Sequence, residues 1–377
     1  MKVEYLCCRC VRSGGTKIIA QHVRLLQERG HDARILTTDR RAADLWGVPV
    51  VRVKAFDQNL LGQSDVLVGS WLRDVEAAAE IKGPVICHLC QGYEPIEFSF
   101  RINEEAIPLK YHYKGRWSRL LFLRKKWSFQ RRIHKTERIY RLPTVKMAVS
   151  QALKEVIEKT YGRHCYCVPN GVDPHVFRPS SRPKSFESSL RLLSIGPIDM
   201  VFKGIMDTFE AVRILKERGI PIEFIRVSLS PPPEAEVKSG LVDRFLTGLD
   251  EGQMAKVYQD SHILIAPSLW EGFGLPVIEA ASCGIPCILA DSGSYASLDP
   301  VKDFAYFVPP HSPEAIVEGI LKIKEDGAFR EQIMKRGFEV AGRYTLENMG
   351  SKLEETLREI LKDRERSVIK QSNRSSF

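Results

Sequence analysis

The stretch "LWEGFGLPVIEAASCGIP", residues 269–286, sets two acids, Glu271 and Glu279, on either side of a glycine-rich turn that runs into an apolar segment. It follows "HILIAPS" (262–268), a short apolar run with the make-up of a buried strand. Pro276 suits the first turn of a helix and Gly284 its stop. The stretch therefore reads as strand, loop and helix, with the free N–H groups of the helix start around Gly274 and Leu275. Such an end binds anions, phosphate above all. Glu271 falls in the loop and Glu279 about one turn into the helix, where a carboxylate can accept hydrogen bonds from a sugar or ribose diol. Glu279 also has a simpler reading, as an acid that favours the helix dipole by about 0.3–1 kcal/mol.

The same alternation continues in both directions. Towards the N-terminus lie strand "RLLSIG" (191–196), helix "IMDTFEAVRILKERG" (205–219), strand "IEFIRVS" (222–228) and helix "EGQMAKVYQ" (251–259). Beyond the opening stretch come strand "PCILAD" (286–291) and closing helices from Pro313 to Gly342 and from Leu346 to about Asp363. A second alternating set begins the chain: strand "VEYLCC", loop "RCVRSGG", helix "TKIIAQHVRLLQERG" and strand "DARILTTD". Further strands follow at 65–70, 84–90 and 144–150, where Ser150 can cap the helix "QALKEVIEKTYG". Alternation of this kind predicts an α/β protein with parallel, doubly wound sheets. A chain of 377 residues, 44% hydrophobic, suits two such domains. The Pro- and Ser-rich segment 177–189 reads as the linker between them, and the polar end from 364 to 377 as a disordered tail. Ligands of such sheets bind at the carboxyl ends of the strands, which puts the expected site in a cleft between the domains.

Two more constellations point to that cleft. In "LLSIGPIDMVFKG" a strand ends at Gly196, and Lys203 precedes the next helix, a cation placed to reach a diphosphate on the neighbouring helix start. In the first domain Gly14 and Gly15 let the backbone approach a ligand at the first strand–helix turn. The turn lacks G-x-G-x-x-G and Asp39 is the one acid near the end of the second strand, so a nicotinamide dinucleotide site stays open with weak support.

Composition bounds the rest. No apolar run reaches the roughly 18 residues of a membrane span, and "MKVEYLCCRC" lacks the order of a signal peptide, so the expected location is cytoplasmic. Nine cysteines are expected as free thiols, with buried strand positions outweighing a zinc site on Cys87 and Cys90, so no metal is expected. The formal net charge is +9, and residues 110–141 hold twelve Lys or Arg against one acid, Glu137, interleaved with Trp117, Trp127, Phe129 and several leucines. That segment reads as a solvated helical face or as a peripheral contact with an anionic membrane, up to about 1 kcal/mol per cation. Nucleic acid comes last, since no recognition motif accompanies it.

These residues resemble a known family. "EGFGLPVIE" matches the E-x7-E motif of retaining glycosyltransferases of family 4, and the match runs on through "EAASCGIP". The likeness extends to "SGGTKIIAQHVRLLQERGHDARILTTD", "VPNGVDPHVFRP" (168–179), the glycine and later lysine of 195–204 and "RYTLENM" near the end, in the family's order over most of the chain. It implies the GT-B fold, two facing Rossmann-like domains. Residues 1–175 would be the acceptor side and 176–345 the nucleotide-sugar side, with a helix at about 346–363 packing back on the first. By the same resemblance Glu279 holds the ribose hydroxyls of a nucleotide sugar and Glu271 those of the transferred sugar. Gly272, Phe273, Gly274 and Leu275, with Gly196 and Lys203, would bind its diphosphate, and Gly14 and Gly15 would close on it. Glu271 and Lys203 would be catalytic, with no metal or other cofactor required. "QGYEP" (91–95) is similar to the Q-x-Y-E of a subset of the family, which puts Gln91, Tyr93 and Glu94 on the acceptor side with Asn170; the family's histidine falls nearer Cys90 or Gln91, so His88 reads first as a satisfied strand histidine and second as an acceptor-side residue.

The chain departs from the family at Pro197, where an arginine is usual, so phosphate binding leans on Lys203. It also carries Ser228-Leu229-Ser230-Pro231 in place of a glycine turn. The expected function is transfer from a nucleotide-diphosphate sugar to a saccharide or lipid-linked acceptor. The rivals are a sugar-nucleotide epimerase and a catalytically silent partner of the same fold.

Overall fold

The computed structural model describes residues 1–42, 44–102, 116–181 and 184–374. In chain order its elements are β1 (Lys2–Cys7), α1 (Gly14–Glu28), β2 (Asp32–Thr37), β3 (Val50–Arg52), α2 (Gln58–Leu61), β4 (Val66–Gly69), α3 (Leu72–Ala79), β5 (Val85–Cys90), α4 (Glu94–Ile102), α5 (Arg116–Tyr140), β6 (Val145–Ala148), α6 (Gln151–Tyr161) and β7 (Cys165–Cys167). They continue with β8 (Leu190–Ile195), a short 3-10 turn (Val201–Lys203), α7 (Ile205–Glu217), β9 (Ile222–Ser228), α8 (Glu234–Lys238), β10 (Arg244–Thr247), α9 (Glu251–Asp260), β11 (Ile263–Ala266), α10 (Leu275–Ser282), β12 (Cys287–Ala290), α11 (Gly293–Ala296), β13 (Tyr306–Val308), α12 (Pro313–Glu325), α13 (Gly327–Ala341) and α14 (Leu346–Arg374).

The chain divides into two units, each around one parallel sheet. The first sheet has the strand order β3-β2-β1-β4-β5-β6-β7 and the second β10-β9-β8-β11-β12-β13. In the first, β1 pairs with β2 and β4 on either side, Tyr5 lying opposite Ile35 and Val68. In the second, β8 pairs with β9 and β11. Central strands carry unbroken apolar runs because both faces are covered, as in β4, where all four residues are buried. Each sheet reverses its strand order at one place, between β1 and β4 in the first and between β8 and β11 in the second. In open sheets of this kind the crevice beyond the carboxyl ends of those strands is the binding place.

Helices form where the sequence marks their ends. Ser13 caps α1 and Ser150 caps α6, each side chain accepting an amide hydrogen bond at 3.2 Å, from Thr16 and Leu153. Gly162 ends α6 in the left-handed conformation, φ 62°. The core of the second unit is built by Leu190, Leu192, Phe224, Ile263 and Ile288 from the sheet against Phe209, Val212, Ile316 and Ile320 from α7 and α12.

The first unit takes Met1–Tyr93, Ile133–Gly171 and Leu346–Phe377, the second Glu94–Arg132 and Val172–Thr345. Three features differ from the sequence reading. α4 and the first part of α5 group with the second unit, although a chain read in order assigns them to the first. Phe177, at the start of the segment read as a linker, is buried. The end read as a disordered tail from 364 continues α14 as helix to Arg374. α14 is tied to the first unit by Arg29–Glu347 at 2.8 Å and His31–Glu354 at 3.1 Å. Among the described residues no helix is long and apolar enough to cross a membrane.

Candidate active site

In the second unit the strand reversal brings together the loops after β8 and β11. β8 ends at Ile195, and Gly196 turns the chain at φ 125°, a conformation glycine adopts at no cost. Lys203, last residue of the 3-10 turn, swings back over it: a Cβ on Gly196 would lie 3.8 Å from the lysine stem. The loop after β11 is fastened to the same turn, Leu269 N–H donating to the Phe202 carbonyl at 2.7 Å. Gly204 follows at φ 64°, where a Cβ would run into the Pro267 carbonyl. Two loops distant in sequence are thereby held edge to edge.

The result is a charge cluster. Lys203 Nζ donates to both carboxylate oxygens of Glu271, at 2.7 and 2.8 Å. Tyr295, fully buried on α11, donates its hydroxyl to Glu271 Oε1 at 3.3 Å, and Ser294 Oγ accepts the Glu271 N–H at 3.0 Å. Burial first, then the nearby Glu271 charge, pushes the Tyr295 phenol far up, so it remains a donor. Gly274 starts α10 at φ 95°, where a Cβ would lie 2.9 Å from the Tyr295 ring. Beyond it the first amides of α10 are a helix start with no side-chain cap. Phe273 turns its ring inward against Tyr344, centroids 5.3 Å apart, leaving its backbone to the loop. Glu279 is buried one turn into α10 and accepts from the Tyr258 hydroxyl at 2.9 Å.

The position of the expected arginine is held by Pro197, yet a guanidinium braces this strand end from inside. Arg226 on β9 is fully buried, pairs with Glu236 at 2.8 Å and donates to the carbonyls of Ser194 at 2.9 Å and Gly196 at 2.7 Å. Its donors are committed to Glu236 and to the backbone of the strand end.

The first unit gathers a smaller set at its own reversal point. Gly14 and Gly15 form the first turn of α1, not a loop before it. Gln91, after β5, donates to Ser70 Oγ at 2.7 Å and to the Gly15 carbonyl at 3.1 Å, and a Cβ on Gly15 would press on the Gln91 amide at 3.3 Å. Gly14 has open space around it. Tyr93 and His88 belong to a buried aromatic group instead: the Tyr93 and Tyr161 hydroxyls lie 2.9 Å apart, and the His88 ring is 4.7 Å from that of Tyr140. Burial, then Lys146, pulls His88 down to about 3. Glu94 begins α4 and falls in the second unit. Asn170 is buried beside Gly171, whose N–H meets Met349 Sδ at 3.2 Å. Among the described residues no group of three or more His, Cys, Asp or Glu is placed to hold a metal ion.

Comparison with known proteins bears on the fold and its domains. Residues 12–176 match the model "Glycosyltransferase Family 4", and residues 243–340 match "Glycosyl transferases group 1". Each of the two glycosyltransferase models thus matches one part of the chain, neither of them over half of its length. The O-antigen chain mannosyltransferase B of Escherichia coli is 31% identical over 105 residues, a match that spans 28% of this chain and 27% of that relative. The fold is shared over nearly the full length with the sucrose-phosphate synthase of Thermosynechococcus elongatus, at TM-score 0.72 and 15% identity over 96% of this chain and 99% of that one. It is shared likewise with HepE of Anabaena, solved in complex with UDP and glucose, at TM-score 0.69 and 15% identity over 95% and 99%. These are GT-B folds. Tyr258, Tyr295 and Arg226 escape a reading of the sequence. Each lies in an ordinary helix or strand pattern, and only the folded chain brings it to the site loops.

Proposed function

We propose that this protein is a retaining glycosyltransferase that moves a sugar from a nucleoside diphosphate sugar to a saccharide or lipid-linked acceptor. One observation carries the reading: Lys203 and Glu271 are locked together at the uncapped start of α10, with Glu279 one turn further on. The open amides and Lys203 suit the diphosphate, Glu279 the ribose diol, and Glu271 the hydroxyls of the sugar. Transfer breaks the bond between the anomeric carbon and the phosphate oxygen and forms one to the acceptor oxygen, whose proton leaves with the diphosphate. Charge builds on the departing phosphate, where fixed amides and a lysine act most strongly. In this reading those groups carry the leaving charge and no metal is called for. UDP in the HepE structure supports the class of donor. The cationic face of α5 supports an acceptor presented at an anionic membrane.

The test is a thermal-shift screen of nucleotide sugars followed by product analysis. A cognate donor at 100 times its Kd stabilises by about 2.7 kcal/mol, and the product's anomeric proton then reports configuration. An inverted product overturns the retaining assignment. Conversion of the nucleotide sugar without acceptor would favour an epimerase. Binding without release of nucleoside diphosphate, across broad acceptors, would favour a silent partner, the reading to which Pro197 lends weight.

A further inference from the structure

α4 lays one face on the 3-10 turn that carries Lys203. The rings of Phe100 and Phe202 lie 6.4 Å apart between centroids. Residues three apart share a helix face, so Glu97 is turned towards the same turn as Phe100, and the residue after Phe202 is Lys203. Glu97 is half-buried there. Among the described residues, the charged groups that act on it are Glu94 and Arg101 on α4, Lys203 on the 3-10 turn and Glu271 on the loop after β11. A diphosphate entering this place meets a Lys203 already matched by Glu271, with Pro197 where the expected arginine would stand and Arg101 one turn further along α4 from Glu97. A further ionised carboxylate would repel it, whereas a protonated one can donate a hydrogen bond.

We propose that Glu97 is a further acid of the Lys203–Glu271 site, whose protonated carboxyl donates a hydrogen bond to the diphosphate of the bound nucleotide. This rests on the donor reading above. Burial, then the Glu94 charge, already pushes Glu97 up to about 7, with Glu271 adding to the rise and Lys203 and Arg101 opposing it. An arriving anion moves it further the same way. Binding therefore takes up a proton from solvent, which returns when the nucleotide leaves.

Calorimetry of UDP and of GDP at pH 8, in two buffers of different ionisation enthalpy, tests this on the full chain. At that pH the nucleotide's own terminal phosphate, with a second pKa of about 6, is ionised. The nucleotide that binds should take up about one proton, and its affinity should fall about tenfold from pH 7.5 to 8.5. Glu97→Gln, which keeps an N–H donor, should bind with no uptake and a flat pH profile; Glu97→Ala should bind about tenfold more weakly than Glu97→Gln. Uptake that persists in Glu97→Gln, or absence of uptake in the wild type, overturns the assignment and leaves the donor reading standing. Failure of both nucleotides to bind the wild type overturns the two together.

Discussion

Lys203 grips both oxygens of Glu271 across 68 residues of sequence. Both side chains are mostly withdrawn from water, so the pair is stronger than a surface ion pair and more costly to break on one side only. A diphosphate must share the lysine with Glu271, which ties phosphate binding to the position of the carboxylate facing the sugar.

Replacing Lys203 by Met should therefore remove leaving-group stabilisation while the stem still covers Gly196. We expect a fall in kcat of about 10²–10³, or about 3–4 kcal/mol in the barrier, with unchanged far-UV circular dichroism. Release of nucleoside diphosphate measures it, and turnover within threefold of wild type would remove Lys203 from the chemistry.

Tyr258→Phe separates binding from turnover. Its hydroxyl donates to one oxygen of Glu279 at 2.9 Å. A hydrogen bond to a charged group is worth about 1.5–3 kcal/mol, so KM for the donor should rise at least about tenfold while kcat stays within twofold. An equal fall in kcat would mean that Tyr258 acts on more than Glu279.

How much of this could be read from sequence follows from what each signal depends on. The central strands were legible because both faces are buried and the apolar run is unbroken. The four strands that escaped, β3, β7, β10 and β13, are the outer strands of the two sheets, three or four residues long and partly exposed. The loop glycines and Lys203 were legible because special turns and strand ends leave local marks. The groups behind them were not: Arg226 bears no mark of its own in the run "IEFIRVS", yet it is fully buried and paired with Glu236 of α8. Of the basic segment 110–141, residues 110–115 lie outside the described residues, as do the side chains of 116–123 and 125.

Gly274 should tolerate no side chain. Its φ of 95° and the 2.9 Å approach of a Cβ to the Tyr295 ring act together, and strain of this kind costs about 1–3 kcal/mol. Gly274→Ala should lower Tm and, by displacing the tyrosine that holds Glu271, lower activity as well. Gly240→Ala is the control, since φ there is 65° but the space is open. Equal effects of the two on activity would show that the Tyr295 contact is irrelevant.

His22 and His88 are held neutral by burial, both down to about 3, His88 with help from Lys146. The unfolded chain takes up their protons from about 6.5 downward while the folded chain does not. The stability they permit is thus present above about 6.5 and lost as pH falls towards 3. Between pH 7 and pH 5 each should account for about 2 kcal/mol of lost stability. Urea unfolding at the two values checks this with His88→Phe, whose ring can remain against Tyr140. The variant should lose about 2 kcal/mol less than wild type, and an equal loss would clear His88.

The exposed part of α5 gives the last expectation. Lys135 and Arg138 are engaged by Glu76, at 3.4 and 3.1 Å, whereas Arg131 stacks 3.7 Å over the ring of Trp127, itself 57% exposed, with Arg124 and Arg132 also exposed. An aromatic ring beside exposed cations suits an anionic interface, at about 1 kcal/mol per cation near the surface. The protein should co-sediment with vesicles containing anionic lipid and not with purely zwitterionic ones, and rising salt should weaken the binding. Arg131→Ala with Arg132→Ala should weaken it about thirtyfold if the two act independently. Lys135→Ala should matter less, because that cation already has its partner. Absence of binding at every salt concentration would return α5 to a solvated face.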